Sequence, residues 1–128
     1  MPFDWDQYLV FANDLKDNSA IQNVTCSRET LDRCIVSRAY YAAFHFAKKY
    51  AEDQSGEPFD REGIHEKVRL WFRENRSGSS IPQDLRDFSR KRNQCDYDDD
   101  VDDLEGLIID SIKCARRIKH ILHSYRSN

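Results

Sequence analysis

The segment from residue 88 to residue 103, FSRKRNQCDYDDDVDD, holds the densest set of side chains in this chain that could do chemistry. Three consecutive basic residues stand before a run of aspartates, with an Asn, a Cys and a Tyr between them. A guanidinium group can bind a phosphate or a carboxylate through two parallel hydrogen bonds, and a carboxylate or phenol can transfer a proton. The segment therefore predicts an anion-binding or acid–base site. The candidate residues are Arg90, Lys91, Arg92, Asn93, Asp96 and Tyr97.

Helical geometry divides these candidates between two faces. If residues 83 to 96 form one helix, an apolar stripe lies within about 60° and contains Leu85, Phe88, Arg92 and Cys95. The opposite face carries Arg86, Arg90, Asn93 and Tyr97. One interpretation of Arg92 is an ion pair with Asp96 at the edge of the core. The other is that Arg92 faces a groove or a subunit interface, where it donates to a phosphate or a carboxylate.

Neither the aspartate run nor the cysteines predict a metal site. Residues 98 to 103 lack the glycine and the terminal glutamate of an EF-hand loop, so a solvated loop that stabilises the next helix N-terminus is the preferred interpretation. The four cysteines have no CxxC spacing and are expected to be reduced and mostly buried. They are Cys26, Cys34, Cys95 and Cys114. We expect no metal and no cofactor.

Length and composition predict one folded domain spanning residues 1 to 128. Charged residues make up 34% of the chain, but the net charge is only −3, so any contact with a polyanion would have to be local. The sequence shows neither an apolar run of 18 residues nor a leader-like N-terminus, and we therefore expect no membrane association and a cytoplasmic location.

The periodicity of apolar residues predicts an all-α fold, an up-down bundle of four to five helices. The second helix has apolar residues on most sides between Cys34 and Ala47, which is typical of a central helix, and Ser27 is placed to begin it. Asn18 and Ser19 are expected to form a loop, and Pro82 suits the first turn of the fourth helix. The expected helices run from about 4 to 17, 27 to 53, 64 to 72, 83 to 96 and 102 to 124.

Two segments together resemble the small stand-alone bacterial and archaeal proteins of the HEPN family. SRAYYAAFHFAKKYAE, residues 37 to 52, is similar to the Ser-x-x-Tyr-Tyr-Ala-x-Phe-like helix of that family. RNQCDYDD, residues 92 to 99, matches the Arg-x-x-x-Asp-Tyr end of a later helix. The resemblance implies a helical bundle that forms a homodimer, in which the Arg-bearing helices of two subunits meet at a shared cleft. Many relatives are metal-independent ribonucleases, often toxins paired with a nucleotidyltransferase-type antitoxin.

The resemblance also implies roles for individual residues. Arg92 would hold the scissile phosphate, with Asp96 and Tyr97 as the other catalytic candidates and Asn93 in contact with the substrate. Arg90 and Lys91, which lie outside the family motif, are further substrate-binding candidates because of their charge. Tyr97 occupies the position at which active relatives carry a His, and a phenol with a pKa near 10 is a poor base. Neither His45, expected in the core, nor His65, expected near the start of the third helix, is assigned a catalytic role.

Two functions follow as expectations. The first is a toxin-like dimer that binds RNA through Arg92, either with or without metal-independent cleavage of that RNA. The alternative is a non-catalytic module that binds a nucleotide or a protein and works with a nucleotidyltransferase-type partner.

Overall fold

A computed structural model describes residues 3–17, 25–59 and 62–127 and contains five helices. They are α1 (Asp6–Asp17), α2 (Arg28–Ser55), α3 (Ile64–Asn75), α4 (Ile81–Tyr97) and α5 (Leu104–Ser127). The described residues form no β-strand. The predicted all-α helical bundle is therefore confirmed. The loop predicted at Asn18 and Ser19 lies outside the described residues.

Helix α2 is the centre of the bundle and packs against each of the other four helices. Its small residues Ala39, Ala42, Ala43 and Ala47 are fully buried, so neighbouring helices can approach its backbone closely. The helix begins after Ser27, whose hydroxyl oxygen accepts a hydrogen bond from the Thr30 backbone N–H at 3.2 Å. The predicted central helix and its start are both confirmed.

The core takes residues from all five helices and is rich in aromatic side chains. Tyr40 and Tyr50 of α2 are buried together with Phe72 of α3 and Phe88 of α4. Replacing a buried Phe by Ala typically costs about 3–5 kcal/mol, so these rings fix how α3 and α4 lie on α2. The same packing positions the motif of α4.

The C-terminal end of α4 is tied to α2 by Arg33. Its guanidinium donates to the backbone carbonyl oxygens of Cys95 at 3.0 Å, Asp98 at 2.6 Å and Asp99 at 2.8 Å. These include carbonyl groups at a helix end that have no partner within the helix. Arg33 thereby fixes the end of the helix that carries the candidate residues.

Two helices begin later than expected because aspartates precede them. The carboxylate of Asp4 accepts from the Asp6 backbone N–H at 3.0 Å, so α1 begins at Asp6 and not at Asp4. Asp103 accepts from the Gly106 backbone N–H at 3.2 Å, so α5 begins at Leu104 and not near Asp102. One member of the aspartate run thus stabilises the next helix, as predicted.

The expectation of mostly buried thiols is wrong for two of the four cysteines. Cys26 and Cys34 are exposed, Cys114 is half-buried and Cys95 is buried. Cys26 precedes α2, and Cys34 lies on the exposed face of that helix, although the next two residues, Ile35 and Val36, are fully buried. Burial raises the pKa of Cys95 and of Cys114 to about 11, so both remain thiols at neutral pH.

Residues 3–17, 25–59 and 62–127 include no group of three His, Cys, Asp or Glu side chains that could hold a metal ion. Within the same ranges, none of the helices has the length and apolar character needed to cross a bilayer.

Candidate functional site

The apolar stripe of α4 carries Arg92 into the bundle, as helical phase predicted. Leu85, Phe88 and Cys95 are buried, and the Arg92 side chain is only 14% exposed. Its Nη1 donates to Oδ2 of Asp96 at 3.2 Å, so the expected ion pair forms. A charged side chain is rarely this buried without a specific arrangement around it.

Two tyrosine rings of α2 supply that arrangement. The guanidinium carbon of Arg92 lies 5.3 Å from the ring centre of Tyr40 and 5.4 Å from that of Tyr41, within cation–π range. Burial alone would lower the pKa of Arg92, but the hydrogen bond to Asp96 and the nearby tyrosines outweigh it and raise that pKa. Arg92 therefore stays charged. Its Nε is buried, and no acceptor for it lies among the described residues.

A histidine adjoins the same tyrosine pair. The hydroxyl group of Tyr40 lies 2.6 Å from Nδ1 of His65, and the imidazole stacks on the Phe44 ring with centres 4.1 Å apart. Burial lowers the pKa of His65, and the positive charges of Arg92 and Arg69 lower it further. His65 is therefore neutral at pH 7, and Tyr40 fixes the orientation of its ring.

Arg69 brings a second guanidinium to this region from α3, one turn after His65. Its side chain is largely buried and lies 3.6 Å from a carboxylate oxygen of Glu66. As for Arg92, its Nε is buried and finds no acceptor in the described part of the chain. We call Tyr40, Tyr41, His65, Arg69, Arg92 and Asp96 the Arg92 cluster.

Only Arg92 and Asp96 of the six predicted site residues belong to this cluster. Arg90 is 69% exposed and pairs with Asp87 at 3.8 Å, Asn93 is exposed, and Tyr97 is 77% exposed. Lys91 is half-buried and lines a separate cavity of about 210 Å³ between α4 and α5. The proposed substrate-binding residues therefore do not converge on Arg92 within one chain.

Sequence reasoning missed four members of the cluster. Tyr40 and Tyr41 lie in the segment that carries the family resemblance, but no role was assigned to them. His65 and Arg69 are 27 and 23 residues from Arg92 in sequence, and only the packing of α3 beside α2 and α4 brings them near it. The sequence did contain one signal for this pair of residues. His65 and Arg69 stand one helical turn apart, which places them on the same face of α3, before the buried Phe72.

Chemically, the cluster combines two largely buried guanidinium groups with a neutral imidazole. Guanidinium groups bind phosphate oxygens and stabilise charge that develops on them, and a neutral imidazole can accept a proton at pH 7. No family model, curated protein or solved structure matches this chain.

Proposed function

We propose that this chain is a HEPN-like protein that binds RNA as a homodimer through Arg92 and cleaves it without a metal ion. The observation that supports this most is the charged guanidinium of Arg92, which lies against the rings of Tyr40 and Tyr41 and keeps 14% of its side chain exposed. A phosphate would bind the exposed part of this guanidinium, whose planar donors suit phosphate oxygens. In the proposed dimer, two copies of α4 meet and supply two Arg92 side chains to one cleft.

His65 takes the proton-accepting role that the resemblance assigns to a His of α4. In the proposed reaction the imidazole accepts the 2′-hydroxyl proton, the 2′-oxygen bonds to phosphorus and the 5′-oxygen leaves, taking a proton from solvent. Arg92 stabilises the negative charge that develops on the phosphate. The lowered pKa of His65 supports this role because the imidazole is unprotonated at neutral pH. We place the reaction in the cytoplasm, regulated by a nucleotidyltransferase-type antitoxin.

The decisive experiment compares the wild-type chain with Arg92→Ala and Arg92→Lys on several RNAs in EDTA. We expect cleavage by the wild type, none by Arg92→Ala and little by Arg92→Lys, because an ammonium group cannot make the bidentate contact. Arg73→Ala is the control, since it removes an exposed arginine of α3 that belongs neither to the Arg92 cluster nor to the predicted substrate-binding residues. Equal cleavage by Arg92→Ala and wild type would refute the assignment.

Binding is measured separately from cleavage by fluorescence anisotropy at several salt concentrations. Each phosphate that the protein neutralises on single-stranded RNA should add about 0.7 to the slope of log K against log salt. His65→Asn should bind RNA as the wild type does but cleave it at least about 100-fold more slowly, since general base catalysis contributes roughly 10²–10⁴-fold. Analytical ultracentrifugation, which shows whether the protein is a dimer or a monomer in solution, tests the proposed assembly.

The exposure of Tyr97 favours a second candidate, a non-catalytic module that binds a nucleotide or a protein. Tyr97 points to solvent at the position where active relatives carry His, so it is available to a partner but does not pair with Arg92. A pull-down with a neighbouring nucleotidyltransferase-type protein, together with a nucleotide thermal-shift screen, tests this candidate. Binding that survives Arg92→Ala, without any RNA cleavage, would favour it over the first.

A further inference from the structure

A second cavity, of about 550 Å³, shares no lining residue with the Arg92 cluster. It lies between the segment that precedes α1, the middle and C-terminal turns of α2 and the C-terminal half of α5. Its walls include Trp5, His45, Phe46, Lys48, Lys119 and Arg126. Small-molecule sites occupy roughly 300–1,000 Å³, so the cavity has the size of a ligand site.

One wall of the cavity is a flat aromatic stack. The indole of Trp5 and the imidazole of His45 are parallel to within 4°, with ring centres 3.4 Å apart. Burial, followed by the charge of Lys48, lowers the pKa of His45 to about 4, so the imidazole is neutral at pH 7. The Phe3 ring packs beside Trp5, lines the same cavity and is 54% exposed, so this aromatic wall offers a planar heterocycle a ring surface on which to stack, whatever the base.

The cavity is also lined by basic side chains, which α2 and α5 supply. Lys48, Lys49, Lys119 and Arg126 line the cavity, whereas only two carboxylates, those of Asp4 and Glu52, do so. This local excess of positive charge stands in a chain whose net charge is −3. The combination of an aromatic wall and several basic side chains selects a ligand that is both planar and anionic.

The basic side chains already have partners, but the pairs are open to exchange. Nζ of Lys119 is 2.7 Å from Oδ1 of Asp6, and Nη2 of Arg126 is 3.4 Å from Oδ2 of Asp53. All four side chains are about one-third to one-half exposed, and ion pairs in contact with water contribute little to stability. A phosphate chain, with several charged oxygens, can therefore replace these carboxylates.

We propose that this cavity binds a nucleoside phosphate, with the base against the aromatic wall that Phe3, Trp5 and His45 form and the phosphates between Lys119 and Arg126. The inference names a site for the nucleotide of the second candidate function and does not depend on chemistry at Arg92. A free phosphate would satisfy the basic side chains but not the aromatic wall. The nucleoside phosphate is therefore the ligand class that both walls fit.

The test is a titration of tryptophan fluorescence in full-length protein carrying Trp71→Phe, which leaves Trp5 as the only tryptophan. ATP should change the emission of Trp5 in a saturable way. Adenosine and inorganic phosphate should bind at least about 10-fold more weakly than ATP. Lys119→Ala and Arg126→Ala should each weaken ATP binding about 5–10-fold. Asp53→Asn should strengthen it, because Asp53 competes for Arg126. Circular dichroism verifies that each variant is folded.

Two controls separate this inference from the proposed RNA chemistry. Lys113→Ala removes an exposed lysine of α5 that lines a different cavity, and it should leave ATP binding unchanged. Arg92→Ala should abolish RNA cleavage and leave ATP binding unchanged, whereas Lys119→Ala should weaken ATP binding and leave RNA cleavage unchanged. No saturable response to millimolar ATP, or the same affinity in Lys119→Ala and Lys113→Ala, would overturn the proposal. Equal affinity for inorganic phosphate and ATP would also overturn it, because the aromatic wall would then contribute nothing.

Discussion

The hydroxyl group of Tyr40, a fully buried residue of α2, lies 2.6 Å from Nδ1 of His65 on α3. Because the Tyr40 ring also lies under the guanidinium of Arg92, this hydrogen bond links the histidine to the cation that we propose binds phosphate. The position of His65 relative to Arg92 is thus set through one tyrosine.

Tyr40→Phe should lower the free energy of unfolding by about 1–2 kcal/mol, because it leaves Nδ1 of His65 without this partner in a half-buried site. Urea denaturation followed by circular dichroism measures the change. In a double-mutant cycle with His65→Leu, the coupling energy should be about 0.5–1.5 kcal/mol. Tyr41→Phe is the matched control, since its ring also packs near Arg92 and the Tyr40 bond to His65 is kept. Strictly additive single-mutant effects would show that the two side chains do not depend on each other.

Asp96→Asn should strengthen RNA binding through Arg92 about 3–10-fold. Asp96 and a phosphate compete for the same guanidinium, whose Nη1 lies 3.2 Å from the carboxylate, and a neutral amide competes less well. Anisotropy titrations at fixed salt measure the change. Asp87→Asn is the matched control, because it removes the carboxylate beside the exposed Arg90 on the same helix. An equal gain in both variants would mean that general charge, and not release of Arg92, controls the affinity.

The sequence predicted those features of the fold and the site that depend on the geometry of a single helix. The 100° turn per residue placed Leu85, Phe88 and Cys95 on the buried side of α4 and put Asp96 beside Arg92. The hydroxyl of Ser27 marked the start of α2 for the same reason, since a capping bond spans only three residues.

Contacts between distant elements could not be predicted in this way. His65 reaches Tyr40 across 25 residues, and Trp5 reaches His45 across 40. Both contacts depend on how α1 and α3 lie against α2, which periodicity within each helix does not specify. The pairing of Arg33 with carbonyl groups more than 60 residues away is a further case. These long-range contacts build most of the candidate sites.

Arg33→Ala should destabilise the fold by about 2–4 kcal/mol and increase hydrogen exchange in the last turn of α4. The substitution removes three charge-assisted bonds to carbonyl groups at the end of that helix. Arg33→Lys should recover only part of the loss, because one ammonium group lacks the spread of the guanidinium donors. Chemical denaturation and amide exchange measure the two effects.

Arg90→Ala serves as the control for Arg33, because Arg90 is exposed and pairs with a nearby carboxylate of its own helix. The free energy of unfolding of Arg90→Ala should stay within about 0.5 kcal/mol of the wild-type value. If Arg33→Ala were equally mild, the carbonyl groups at the end of α4 would be satisfied by water and Arg33 would not fix that end.

His45 should make the protein less stable as the pH falls from about 6.5 to about 4. Burial, followed by the charge of Lys48, lowers its pKa to about 4 in the folded chain, whereas the unfolded chain keeps the ordinary value near 6.5. In that interval the unfolded state binds a proton that the folded state does not, so acid favours unfolding. His45→Phe keeps a ring beside Trp5 without a titrating group and should give a shallower dependence of melting temperature on pH.

NMR titration of the His45 ring tests the cause directly: Trp5→Leu uncovers the imidazole and should move its pKa back toward 6.5. A wild-type titration already near 6.5 would show that the stack does not bury this histidine in solution.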